Sequence, residues 1–234
     1  MPRNPIVGAP GLGTARTATP KSVLHSTTGA MYLGNAAVLD GSESRDATNT
    51  SDVDKLQPGL VMGLITASGL WAPSFVGLTT AAYTSGGTSL TVATATGTEL
   101  LRLVGATGTS EFVVIGAPSV SGTVAVTAAT HSAISGTAVT VTSLGVNKTA
   151  GSIIAINDGR YTPRGILDTD YPVKVTNIDG DSVDQALPRM LIGGFVDIDQ
   201  IVNYPATANT TLVTWLKTQL ETYGPWLFTD NFGV

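Results

Sequence analysis

Pro58-Gly59-Leu60-Val61-Met62-Gly63-Leu64-Ile65-Thr66-Ala67-Ser68-Gly69-Leu70-Trp71-Ala72-Pro73 is the stretch from which the fold is read. An apolar run, a short glycine-bearing turn and a second apolar run ending on proline predict a β-hairpin. Upstream of it the pattern disappears. Residues 1–57 carry ten charges and four prolines with no sustained period of 2 or 3.6, which predicts an extended N-terminal arm. Its short apolar groups, Ile6-Val7 and Met31-Tyr32-Leu33, are too few to offset an ordering cost of about 1–2 kcal/mol per residue. The arm is therefore expected to order only against something else.

Downstream, residues 78–156 hold only four charges, Glu99, Arg102, Glu111 and Lys148, and stand apart from their flanks as an inserted β-rich subdomain. Strands are expected over 89–94, 111–115, 122–127 and 137–142, several of them alternating apolar and threonine positions. A short helix is expected over 99–104, with Thr98 as its N-cap and Gly105 as its stop. After the turn signal Asn157-Asp158-Gly159, strands resume over 165–167, 173–176 and 195–199. Asn209-Thr210-Thr211 opens a helix whose Leu212, Trp215, Leu216, Gln219, Leu220 and Tyr223 recur at three- and four-residue steps, and Gly224-Pro225 ends it. Trp226-Leu227-Phe228 then forms a bulky cluster that a monomer would have difficulty hiding. The expected fold class is mainly β with a C-terminal α-helix.

The composition agrees and restricts function. Only 12% of residues are charged, about half the usual quarter, while 35 Thr, 27 Gly and 12 Pro favour strands and turns. Without cysteine there is no disulfide or thiolate chemistry, and His25 and His131 are too few for an ordinary zinc centre. Neither histidine has a patterned Asp or Ser partner, so both read as surface polar residues. Gly-x-Ser-x-Gly, the P-loop and His-Glu-x-x-His are all missing, and no catalytic residue, metal or cofactor is assigned. A net charge of −5 gives no attraction to a phosphate backbone, which argues against nucleic acid as a partner. No run of about 20 apolar residues suits a membrane span, and the first residues lack a secretory apolar stretch, so a cytoplasm-like place of synthesis is expected. Period-2 spacing predicts Asp197 and Asp199 on one strand face. The full calcium-loop spacing is absent, so the pair reads as a solvated edge, and Asp179-Gly180-Asp181 reads as a turn. Trp71 and Trp215 are expected in the core and Trp226 at an interface.

The order of segments carries a resemblance. The run from Pro58 to Thr66, its return through Trp71-Ala72-Pro73, and Tyr161-Thr162-Pro163-Arg164-Gly165-Ile166-Leu167 resemble the head decoration proteins of lambda-like tailed phages. The charged strand Val173-Lys174-Val175, the Gly-Phe-Val-Asp strand at 194–197, the C-terminal helix and the bulky terminal segment continue it. The likeness covers roughly residues 56–77 and 157–234; residues 78–156 have no counterpart in short members of that family.

The resemblance implies three parts: a capsid-binding arm over 1–57, a decoration-protein-like core over 58–77 and 157–234, and an inserted β-rich subdomain over 78–156. It implies a capsid cement protein, a homotrimer on the outer surface of the virion head whose arm orders on the major capsid protein and which stabilises the shell against packaged DNA. Leu12, Met31, Tyr32 and Leu33 are then candidate capsid anchors, and Trp226, Leu227 and Phe228 candidate trimer contacts. Two other classes stay open. One is a carbohydrate-binding or adhesive module whose 78–156 segment offers hydroxyls and Tyr83 to a glycan. The other is a tail-tube or fibre component forming open rings or elongated oligomers.

Overall fold

The hairpin forms where it is expected, residues 61–64 pairing antiparallel with residues 71–73. The computed structural model describes residues 23–33, 37–49, 51–116, 124–169, 171–187, 189–202 and 210–229. In chain order its strands are β1 (Leu24–Tyr32), β2 (Ala37–Leu39), β3 (Lys55–Leu56), β4 (Val61–Leu64), β5 (Trp71–Pro73), β6 (Gly77–Leu78), β7 (Ser89–Thr91), β8 (Gly108–Gly116), β9 (Ala125–Ser135), β10 (Ala138–Val141), β11 (Ile153–Ile156), β12 (Gly165–Leu167), β13 (Val173–Lys174), β14 (Gln185–Leu187), β15 (Met190–Asp197) and β16 (Trp226–Thr229). The helices are α1 (Thr94–Val104) and α2 (Thr210–Tyr223). The chain is mainly β with a C-terminal helix.

An eight-stranded sheet runs β1-β15-β12-β4-β5-β2-β14, with β16 added parallel to β15. Ile166 lies opposite both Val61 and Leu191, and Leu167 lies opposite Met190. Side chains alternate across a strand, so these neighbours separate by face. Val61, Ile166 and Leu191 share a cluster with Leu212, Leu216 and Leu220, the apolar stripe of α2. Met62, Leu167 and Met190 pack on the other side with Leu39, Trp71 and Leu56, the last from the short ribbon of β3 and β13.

A second, six-stranded sheet runs β6-β11-β8-β9-β10-β7. An isolated bridge between Thr79 and Val92, with Thr80 N–H donating to Thr91 O (2.9 Å), brings its two ends together, so the sheet curls into a small barrel. Leu90, Phe112, Val139 and Ile154 fill it along with Leu100 of α1. That helix begins five residues before the expected start at 99. Its N-cap is Ala93, without a side-chain bond, and Thr98 sits inside the helix with its hydroxyl on Thr94 O (3.0 Å). Gly105 does end it, at φ 75°, a conformation that glycine adopts without steric cost.

β8 and β11 are apolar on both faces. Val113, Ile115, Ile153 and Ala155 belong to the cluster under the eight-stranded sheet, whereas Phe112, Val114, Ile154 and Ile156 point into the barrel. These two strands form a shared wall, and each fully buried aliphatic side chain in it stabilises by about 1.5–3 kcal/mol.

The arm reading fails from residue 23 onward. β1 pairs antiparallel with β15, with Leu24 opposite Val196 and Tyr32 opposite Leu191, and Val23, Leu39 and Leu56 are fully buried. Their partners lie far along the chain, and β1 is largely exposed, so no local apolar period announces it. Residues 1–22, with Ile6-Val7 and Leu12, lie outside the described residues.

Candidate functional site

Three places collect the residues relevant to function. The first is the β1 edge. Met31 is 46% exposed. The Tyr32 hydroxyl donates to Asp168 Oδ2 (2.8 Å), and Arg189 Nη2 donates to both that hydroxyl and Asp168 Oδ2 (2.8 Å each). The Arg189 guanidinium also stacks over the Tyr32 ring at 5.1 Å. Burial raises the Tyr32 pKa; Arg189 opposes that rise and Asp168 adds to it. Leu33 is half-buried, and its N–H donates to Met190 O (2.9 Å). Of the three expected anchors here, only Met31 is turned to solvent; Tyr32 and Leu33 tie β1 to its own body.

The second place is the terminal strand. Trp226 is 4% exposed and belongs to the cluster under the eight-stranded sheet, so the monomer hides it after all. The reason is β16: parallel pairing with β15 turns alternate residues inward, and Leu227 between them is left 67% exposed. Phe228 is half-buried, stacked 6.3 Å from Trp226, with Lys217 Nζ over its ring at 5.8 Å. Trp71 packs in the core as expected, whereas Trp215 is half-buried against the cluster under the eight-stranded sheet.

The third place is a cleft of about 360 Å³ where barrel and open sheet meet, a site no local motif foretold. Its lining mixes the apolar Ile65, Leu103, Val104 and Ile156 with the charged Asp40, Glu43, Glu111, Asp158 and Arg160. Arg160 is 2% exposed and four of its five N–H donors are engaged. Nε and Nη2 reach Asp158 Oδ2 (2.8 and 2.6 Å), Nη2 also reaches Glu43 Oε2 (2.7 Å), and Nη1 reaches Glu43 O (2.9 Å). A Cβ on Gly63 would lie 2.0 Å from Arg160 O, so β4 can run this close only with glycine there. Arg102 of α1 makes two bonds to Glu99 (2.9 and 2.7 Å) and donates to Ser42 O (2.6 Å), fastening the barrel to the loop after β2. Burial alone would lower the Arg102 pKa; Glu99, with Glu43 and Asp54 further off, raises it. Glu111 Oε2 is buried and meets no hydrogen-bond donor among the described residues.

Two further expectations change. β15 ends at Asp197, whose side chain accepts from Asp199 N–H (3.1 Å) to start a 3-10 turn, so the two carboxylates do not share a strand face. His131 is 3% exposed, not a surface residue, because period 2 turns it inward with Ala129. Its Nε2 lies 3.2 Å from Gly105 O. His25 is exposed, its ring edge-on to Phe195 at 4.6 Å. The turn at 177–181 forms, with Asn177 Oδ1 accepting from Asp179 and Asp181 N–H (2.9 Å each). Among the described residues no group of three or more His, Asp or Glu is placed to hold a metal ion. No helix there is long and apolar enough to cross a membrane. Comparison with family models, curated proteins and solved structures gives no match to this chain.

Proposed function

We propose that the protein is a capsid decoration protein, coating the outer surface of an expanded tailed-phage head as a homotrimer on the major capsid protein. The observation that carries this reading is the adjacency of the two stretches that resemble such proteins. Residues 58–77 and 157–234 are separated by the whole barrel in sequence, yet β4 pairs with β12 and β12 with β15 in one sheet. Two features fit a clamp. The sheet ends on the edge strand β1, bulged between Ser26 and Met31, and residues 1–22 precede it in sequence, so its regular ends offer short stretches for strand addition to a neighbouring shell protein. Leu227 offers an outward apolar side chain for packing between copies. Three linked arms raise the effective concentration at the lattice, so modest contacts sum to firm attachment.

The test is imaging of expanded heads incubated with the full chain and with a chain lacking residues 1–22. Density at local three-fold positions is expected with the first and not with the second, both proteins being folded. Heads that take up neither protein overturn the reading; equal decoration by both overturns the role of the leading segment alone.

A further inference from the structure

We infer that Asp179-Gly180 is a self-modification site, at which the main chain reroutes through the aspartate side chain to give an isoaspartyl linkage. The chain holds three Asp-Gly pairs, Asp40-Gly41, Asp158-Gly159 and Asp179-Gly180. The reaction requires the glycine backbone nitrogen to reach the aspartate carboxyl carbon, and glycine favours it because no side chain shields that nitrogen and the backbone turns freely. Two of the pairs are held against it. Asp40 Oδ1 accepts from Ser42 N–H, the Ser42 hydroxyl and Glu43 N–H (3.0, 2.7 and 3.1 Å), and Gly41 N–H donates to Asp184 Oδ1 (2.8 Å). Gly41 is also buried against the Val183 backbone. Asp158 is gripped by Arg160, which donates to it from its backbone N–H, Nε and Nη2 (3.1, 2.8 and 2.6 Å), and Gly159 packs on the Thr66 side chain.

Asp179-Gly180 has neither restraint. Both residues are exposed at the tip of the turn between β13 and β14, next to Ile178, which is 97% exposed. The Asp179 carboxylate accepts no hydrogen bond among the described residues; only its backbone N–H is tied, to Asn177 Oδ1. Gly180 sits at φ 91°, and apart from its chain neighbours nothing lies within 4 Å of where its Cβ would be. Its N–H makes one long bond, to Asn177 O (3.2 Å). Gly180 N gives up its proton and bonds to Asp179 Cγ, from which the carboxyl oxygen leaves as water, closing a five-membered succinimide. Water then adds to one of the two ring carbonyls. Opening at Cγ restores aspartate; opening at the backbone carbonyl leaves Gly180 bonded through Cγ, with one more carbon in the main chain. Nothing is oxidised or reduced, and the final mass is unchanged.

This inference does not depend on the decoration reading, since it uses only the chain's own turn and water. The experiment keeps the full folded chain for several weeks at body temperature in mildly acidic buffer and then cuts it with trypsin, which releases residues 175–189 between Lys174 and Arg189. Isomers of equal mass are separated by chromatography, and electron-transfer fragmentation locates the isoaspartyl bond. Reaction at Asp40 or Asp158 must wait for several hydrogen bonds to open, so the Asp179 isomer is expected to form at least about tenfold faster than either. In urea, where those bonds are lost, the three pairs are expected to react at similar rates. Asp179→Glu, which would need a slower six-membered ring, is expected to leave the 175–189 peptide as a single species. Equal rates at the three pairs in the folded chain overturn the proposal, as does an Asp179 isomer that forms only in urea. An isomer of 175–189 that persists in Asp179→Glu comes from Asp181 or Asp184 and overturns the assignment.

Discussion

Where the six-stranded sheet bends until Thr79 meets Val92, the eight-stranded sheet stays open and ends on β1, a rim bulged between Ser26 and Met31. Closure pairs the backbone groups that an edge would leave exposed, whereas an open edge remains a template for another strand. The polar chemistry of the two halves also differs. The open sheet and its loops hold the ion pairs of Arg45 with Asp54 and of Arg189 with Asp168, and Arg160 joins Glu43 to Asp158 at the junction. The barrel has the pair of Arg102 with Glu99 on α1 and also buries a lysine: Lys148 is 1% exposed, and its Nζ donates to Ala125 O (2.7 Å). One half is thus self-contained and the other keeps a side available.

The contrast is broken most directly at two adjacent residues of the shared wall. Ile153 and Ile154 are both fully buried but serve different clusters. Truncating either to Ala is expected to cost about 2–4 kcal/mol by denaturant unfolding. Hydrogen exchange then separates them: Ile153→Ala should speed exchange in both sheets, Ile154→Ala in the barrel alone. Barrel-only effects from both would mean that the wall does not couple the halves.

Lys148 gives a smaller effect of opposite sign. Burial pulls its pKa down from 10.5 to about 8. Below pH 8 both folded and unfolded chains carry the proton, and the folded state bears the full cost of a buried ammonium. Between pH 8 and 10.5 the unfolded chain holds more protons, so stability rises with pH. Lys148→Met is expected to raise stability at pH 7 by about 1–2 kcal/mol, allowing for the bond lost at Ala125 O, and to flatten that rise. A variant less stable than the parent, or one that keeps the same slope, contradicts the account.

The smallest change is at the open edge. Tyr32→Phe removes the hydroxyl shared by Asp168 and Arg189 and should cost about 1 kcal/mol. Faster exchange should be confined to β1, and loss of protection in the barrel would show that the edge is not a separate unit.

Local chemistry made some elements legible. The hairpin of β4 and β5, helix α2 with its leucine stripe and Gly224 stop, the apolar run of β8 and the alternating strand β10 could be read from residues a few positions apart. β1 could not. Leu24-His25-Ser26-Thr27-Thr28 shows little apolar alternation because the strand faces solvent over most of its length, and its partner β15 lies more than a hundred residues downstream. Trp226 was misplaced for a related cause, since only the pairing of β16 with β15 decides that the indole turns inward and Leu227 outward. The cleft was invisible in sequence. Its lining comes from the loop after β2, the β4–β5 turn, the end of α1, β8 and the turn after β11; several of these segments carry a local signal, but none announces that they meet.

The doorway of the barrel has an evolutionary corollary. Leu78 lies opposite Ile153 and Gly77 opposite Ile154, so the polypeptide departs and returns on neighbouring strands with backbones about 5 Å apart. Swapping the intervening module for foreign cargo, or for a tight loop, asks for no rerouting of anything else. Chemistry sets the entry condition: Val61, Phe75 and Ile166 rest against that wall, and whatever replaces it must bring a greasy patch of matching size or leave the host sticky.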